Sequence, residues 1–214
     1  MLITNLNEEQ SLLTRLDCLI AESEEMRVLV GFFYFWGISA LHGGLTKNKE
    51  FKLKILVGLE AEEHAGKIVE FAGSHTEETT DEERRKDFLQ SLRSVMRGKE
   101  IDTQKYYERV SLFIDLVKSG QIEIRKTREP NHAKLYHCSL KKHFAQTLGK
   151  EYCWITGSSN MTRPGLVEQN ELNVQLLDFG GAESKKYFDA LWENAVPLTD
   201  DPQTKTRIIE LVAG

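Results

Sequence analysis

Proline and cysteine are scarce in this chain of 214 residues, with 4 and 3 respectively, and long apolar runs are missing. The shortage of proline excludes a Pro-rich, extended linker protein. Cys18, Cys138 and Cys153 are odd in number, scattered and without metal-ligand spacing, so neither a disulfide framework nor a cysteine metal site is expected. Free thiols in a reducing cytoplasm are the natural expectation. The longest apolar run, around Val28–Trp36, contains Gly31 and falls far short of the ~20 residues that a bilayer-spanning helix needs. The N-terminus lacks the basic region and apolar stretch of a secretory leader. No repeat and no low-complexity tract is visible. Against these absences stands an ordinary globular composition, 40% hydrophobic and 29% charged, enough for one domain with its own core.

Net charge is −5, which argues mildly against a nucleic-acid partner, but the distribution is uneven. From Gln121 to Gly165, eight Lys and Arg stand against three acids, a local +5. Such a segment reads either as a phosphate-facing surface or as a solvated face. Hydrophobic periodicity predicts a helix over Asn7–Ala21, a buried strand over Arg27–Phe35, a helix from Ile38 and a strand over Lys52–Leu59. A short helix fits between Glu60 and Gly73, and Ser74–Asp81 reads as a loop. Asp81 is the candidate cap of a charged helix to about Arg97, and a further helix spans Gln104–Ser119. Strands follow at Gln121–Lys126, His132–Leu140, Tyr152–Thr156 and Asn170–Asp178, then helices over Ala182–Ala195 and from Thr204. The order predicts an α/β fold, a mixed β-sheet flanked by helices, as one domain over 1–214 with a helical insertion at about 74–119. The last helix runs to the final residue without a stop signal, so the chain is expected to be the N-terminal part of a longer protein.

Alternation along His132–Leu140 puts His132, Lys134, Tyr136 and Cys138 on one face. Backbones two residues apart on a strand are about 6–7 Å apart, so a histidine and a lysine so placed can reach one phosphate. The next strand, YCWITG, delivers Gly157, Ser158, Ser159 and Asn160 at its end. Glycine there allows close backbone approach to a ligand, and Ser and Asn supply neutral donors. Glu171 opens the strand after that and is in position to bond the second nitrogen of a histidine ring. His-x-Lys alone carries little; Gly-Ser-x-Asn is much rarer, and the two in this order at consecutive strand ends are specific.

These residues, HAK at His132–Lys134 and GSSN at Gly157–Asn160 with a trailing acid at Glu171, resemble the phospholipase D superfamily. The likeness is strong over about Gln121–Asp178 and generic over Arg27–Leu59. Many members have Asp five residues after the lysine, where this chain has Ser139. That departure points away from the phospholipid-cleaving enzymes and toward the nuclease branch, with its metal-independent restriction enzymes and helicase-associated modules. The resemblance implies a phospholipase D-like fold with a single catalytic motif per chain and a phosphodiesterase that needs no metal and no cofactor. His132 would be the nucleophile, Glu171 would fix its tautomer, and Lys134, Asn160 and Ser158 would hold the phosphoryl oxygens. Arg125, Arg163, Gly157 and Ser159 are the further candidates for binding substrate phosphate. A second histidine must protonate the leaving oxygen. His64 with Lys67 in a presumed helix, His42 in an HGG loop and His75 in an acidic loop do not form a second motif. The missing acid is therefore expected from His132 of a second copy, in a homodimer.

The plainer roles are also assigned. His137 points away from His132 and is structural or on the surface; His143 belongs to a solvated basic turn. Arg163 either touches phosphate or serves the Pro164–Gly165 turn. Tyr136, Trp154 and the aromatic run Phe32–Trp36 are core, although Tyr34 at the strand end has reach to the site. Two functions stand side by side: a nuclease, acting on DNA in defence, restriction or repair, and a non-catalytic nucleic-acid-binding and dimerisation module of a larger helicase or restriction protein, with a fused ATPase domain.

Overall fold

The structure is a computed structural model that describes residues 1–32, 35–64, 67–73, 78–96 and 104–214. Ten strands are described: β1 (Leu2–Thr4), β2 (Ser23–Val30), β3 (Lys52–Val57), β4 (Glu60–His64), β5 (Lys67–Phe71), β6 (Ile122–Lys126), β7 (Leu135–Leu140), β8 (Tyr152–Gly157), β9 (Leu172–Leu177) and β10 (Val196–Pro197). The helices are α1 (Leu12–Glu22), α2 (Phe35–Ala40), α3 (His42–Lys47), α4 (Asp81–Met96), α5 (Gln104–Ser119), α6 (Lys142–Leu148), α7 (Gly181–Glu193) and α8 (Pro202–Ala213). Eight strands form one mixed sheet in the order β1-β9-β8-β7-β2-β3-β6-β10. Strands β2, β3 and β6 run parallel, and every other pairing in that sheet is antiparallel. Strands β4 and β5 form a separate two-stranded hairpin.

The C-terminal halves of β2 and β3, Val28–Val30 and Ile55–Val57, are buried on both faces and are apolar throughout, whereas β6 alternates buried and half-buried positions. On one face, Val28, Val30, Leu53, Ile55, Ile124 and Tyr136 pack against helices α1, α2, α4, α5 and α8. On the other, Leu29, Leu56 and Leu135 pack with Phe188 and Trp192 of α7 and with Ala195, and Trp154 and Leu191 close the cluster. The mixed α/β sheet expected from the strand order is therefore present, with a thick helical layer on one side and one helix on the other. None of the described helices is long and apolar enough to cross a membrane.

Several expectations are corrected. The segment Glu60–Gly73 is the β4–β5 hairpin, not a helix; the β-branched Ile68–Val69 pair and the close cross-strand register from Glu60↔Phe71 to His64↔Lys67 favour pairing. Strand β2 ends at Val30, and Phe35 opens α2, because β3 stops at Val57 and offers no further partner. Phe32 and Phe35 are core all the same, Phe35 lying edge-on to Phe113. Thr80, not Asp81, caps α4: its hydroxyl accepts from the Glu83 N–H while the Glu83 carboxylate accepts from the Thr80 N–H, a capping box. His42 and His143 lie in helices α3 and α6 rather than in loops. The two short edge strands β1 and β10 had no sequence signal. Tyr34, His75 and the His64 and Lys67 side chains lie outside the described residues.

Candidate active site

His132, Lys134 and Asn160 lie where the parallel strands end, the edge at which open α/β sheets bind ligands. His132 and Lys134 are not in the strand as expected: β7 begins at Leu135, and the pair sits in the segment leading into it. That segment is fixed by Asn131. Its N–H donates to the Gly58 carbonyl at 3.0 Å, so close an approach that any Cβ on Gly58 would collide with the Asn131 carbonyl. The Asn131 side chain accepts from the Ala133 N–H at 2.9 Å and donates to the Tyr187 hydroxyl at 3.2 Å. This Asx turn leaves His132 exposed at its tip. The Lys134 ammonium folds back onto the His132 carbonyl at 2.8 Å, and the Thr156 hydroxyl donates to the Lys134 carbonyl.

The Gly157–Asn160 turn is pinned from beneath. Ser159 is fully buried; its N–H donates to the Asn173 side-chain oxygen at 3.3 Å, and the Asn173 amide donates to its hydroxyl at 2.9 Å. The Tyr136 hydroxyl donates to the Ser159 carbonyl at 3.0 Å. Burial pushes that phenol far up, with the charges of Glu171 and Glu70 adding, so it stays a donor. Gly157 is needed for a different reason from the one expected: the Leu172 carbonyl and Asn173, not a ligand, fill the space a Cβ would take. Buried Ser159 thus holds the turn rather than facing the site, and Gly157 lets the β9 backbone close on it.

Asn160 faces it. Its side-chain oxygen accepts from the Gly31 N–H at 3.2 Å, which turns its amide nitrogen outward to donate to Glu70 Oε2 at 3.1 Å. Glu70, on β5, belongs to no motif; its only mark in the sequence is one acid interrupting the apolar run Ile68–Phe71. Burial pushes its carboxyl above the ordinary glutamate value, against the pull of Lys134, Asn160, the Phe32 N–H and His132. One carboxylate thus feels His132, Lys134 and Asn160 together. Asn173 likewise lies outside both motifs, and its mark in the sequence is a polar residue at a core-facing strand position.

Glu171 makes its hydrogen bond with the Ser158 hydroxyl, and the expected bond to His132 is not formed. Among the described residues the His132 ring has no hydrogen-bond partner. The two arginines are not brought to this group. Arg125 binds Asp200 at 2.8 Å and lies over the Trp192 ring, while exposed Arg163 pairs with Glu168. Two further cations of the basic segment are committed: Arg128 pairs with Asp81, and Lys126 is buried near Glu60, its ammonium pulled down to about 8 by burial. Ser139 accepts from Arg27, which is already bound to Glu25 and Asp189. His137 is buried, donates from Nε2 to the Gly181 carbonyl at 2.9 Å, and is held neutral by burial, a structural histidine. No group of three His, Cys, Asp or Glu side chains among the described residues is placed to hold a metal ion.

No family model matches the chain, and no curated protein matches it. Among solved structures it is similar to NucT from Helicobacter pylori, with a TM-score of 0.49 at 12% identity over 92% of this chain and 97% of that one. It is also similar to Nuc from Salmonella typhimurium, a phospholipase D family member, with a TM-score of 0.45 at 12% identity over 91% and 94%. Polyphosphate kinase from Porphyromonas gingivalis is a third, with a TM-score of 0.44 at 10% identity over 100% of this chain and 28% of that one.

Proposed function

We propose that the chain is one half of a metal-independent phosphodiesterase of the phospholipase D type, acting on nucleic acid and most naturally on DNA. The observation that carries the reading is the convergence of His132, Lys134 and Asn160, from two sequence motifs, on a single carboxylate. In this reading a neutral His132 attacks phosphorus, the bond to the leaving oxygen breaks, and a phosphohistidine forms. Lys134 and Asn160 hold the non-bridging oxygens as charge builds on them. Water then cleaves the phosphorus–nitrogen bond and returns the histidine. The leaving oxygen takes its proton from the same histidine of a second copy, so the working unit is a homodimer. Exposed Leu2, Leu172 and Val174, which share one sheet face beside Glu171, offer that second copy an apolar edge. Lys and His supply the positive charge that other phosphodiesterases draw from metal ions.

Purified protein is expected to cut DNA in the presence of EDTA. His132→Ala should lower the rate by at least ~1,000-fold, the scale on which loss of a nucleophile acts. EDTA-resistant cleavage that survives in His132→Ala would sink the mechanism.

One observation favours a second reading, a module that binds nucleic acid within a larger helicase or restriction protein and turns nothing over. Glu171 is held by Ser158, which leaves His132 without an orienting partner among the described residues. Salt-sensitive DNA binding without cleavage, weakened by Lys134→Ala, is its signature.

A further inference from the structure

Glu70 sits in a place shaped for an anion. The β4–β5 hairpin lies outside the main sheet and lays this one side chain against the end of β2. Gly31 makes that possible: a Cβ there would strike Glu70 Oε2, so the bare backbone is the floor on which the carboxylate rests. The Phe32 N–H donates to the carboxylate from the chain just beyond. Asn160 has no choice of orientation, since its oxygen is committed to the Gly31 N–H and its amide must therefore present a donor to Oε2. The charges of Lys134 and His132 act on the same carboxyl, the Lys134 ammonium being held nearby on the His132 carbonyl. Every one of these neighbours is a donor or a cation. Directed donors around an open floor make an oxyanion site whichever anion fills it.

We propose that the Phe32 N–H, Asn160 and Lys134, over the open floor of Gly31, form a cradle for phosphoryl oxygens, and that Glu70 fills it as a tethered anion which the incoming phosphate replaces. The assignment of a phosphodiester as the natural occupant rests on the reading above; the anion preference of the cradle does not. A carboxylate presents two oxygens to the same donors that two non-bridging phosphoryl oxygens would meet. The occupant is intramolecular, so an incoming anion finds the cradle open only for the fraction of time that the hairpin carboxylate is out. Apparent affinity is reduced by that fraction. Burial contributes a counterweight, because it disfavours the charged carboxyl and so keeps Glu70 a weak enough occupant to be displaced.

Glu70→Gln keeps the shape and removes the charge. Orthophosphate titrated by calorimetry into the full chain, without divalent ions, should bind at least ~10-fold more tightly to Glu70→Gln than to the parent. Adding Gly31→Ala to Glu70→Gln should cancel that gain, since the new methyl fills the floor, and thermal melting reports whether the double variant is folded. Where it is not, Asn160→Asp in the Glu70→Gln background serves instead, because an acid replaces the donor and should cancel the gain likewise. Unchanged or weaker orthophosphate binding in Glu70→Gln overturns the proposal. So does loss of DNA cleavage in that variant without any change in orthophosphate affinity, which would make Glu70 a proton carrier. Tighter orthophosphate binding in a protein that cleaves no DNA, before or after substitution, supports the cradle while the nuclease reading falls.

Discussion

The two sides of the site are built to different standards of rigidity. The motif side is part of the eight-stranded sheet: Asn131 is locked to Gly58 and Tyr187, and the Gly157–Asn160 turn is tied to Asn173, Tyr136 and Gly31. The hairpin side is a two-stranded ribbon outside that sheet, docked through the Ala61 N–H to the Ser91 hydroxyl of α4. A hairpin alone is marginal in water and takes its stability from what it packs on. Groups that would handle phosphate are thus preorganised by the sheet, while the carboxylate that now occupies them is carried on a ribbon outside it. Preorganised donors cost nothing to arrange at the moment of reaction, and a removable occupant spares them an unpaired ground state.

The sharpest way to break this contrast is to disturb the rigid side. Gly58→Ala forces a methyl into the Asn131 carbonyl, so the segment carrying His132 and Lys134 must shift by a fraction of an ångström or more. Misplacement on that scale costs about 100-fold in rate, and the loss should appear in kcat with the far-ultraviolet circular dichroism unchanged. Full activity in Gly58→Ala would show that the segment is not held as tightly as its hydrogen bonds indicate. Asn173→Ala acts next. It deletes both hydrogen bonds to buried Ser159 and leaves that hydroxyl and N–H unsatisfied, a loss of about 1–3 kcal/mol in urea unfolding. Its effect on rate should be smaller than that of Gly58→Ala, because Asn160 keeps its own bond to Gly31.

The same contrast explains what the sequence made legible. Strands β6, β8 and β9 follow from periodicity because each buries one regular face, β7 from its apolar run, and the His-x-Lys and Gly-Ser-x-Asn residues are readable because their spacing is local. What was not legible depends on contacts distant in sequence. Asn173 works on Ser159 across a strand pair, and Glu70 meets Asn160 from 90 residues away. The hairpin reads as a helix in sequence because Glu60–His64 carries no alternation strong enough to outweigh its good helix formers. Arg125 was given to phosphate on the strength of local charge, whereas Asp200 and Trp192, far along the chain, claim it. Glu171 illustrates both limits at once: its neighbourhood was readable, its partner was not.

The smallest expected effect probes the displaceable side through stability. Burial raises the Glu70 carboxyl above the ordinary value of 4.5, so the folded chain holds this proton at pH values where the unfolded chain has already released it. Through that window, from about the unfolded value up to the raised folded one, the unfolded state binds fewer protons and stability falls as pH rises. Above it, an ionised Glu70 leaves the folded state less stable than a neutral side chain of the same shape would. Glu70→Gln should therefore melt higher than the parent at neutral pH, and the two melting curves should converge as the pH drops below the unfolded value. Lys134, His132, Asn160 and the Phe32 N–H all face the carboxyl and offset its burial, which is why the difference is the smallest of those expected. A parent chain that melts higher than Glu70→Gln at neutral pH would mean that the cradle stabilises its carboxylate outright, and that the hairpin is held in place by the site rather than merely resting on it.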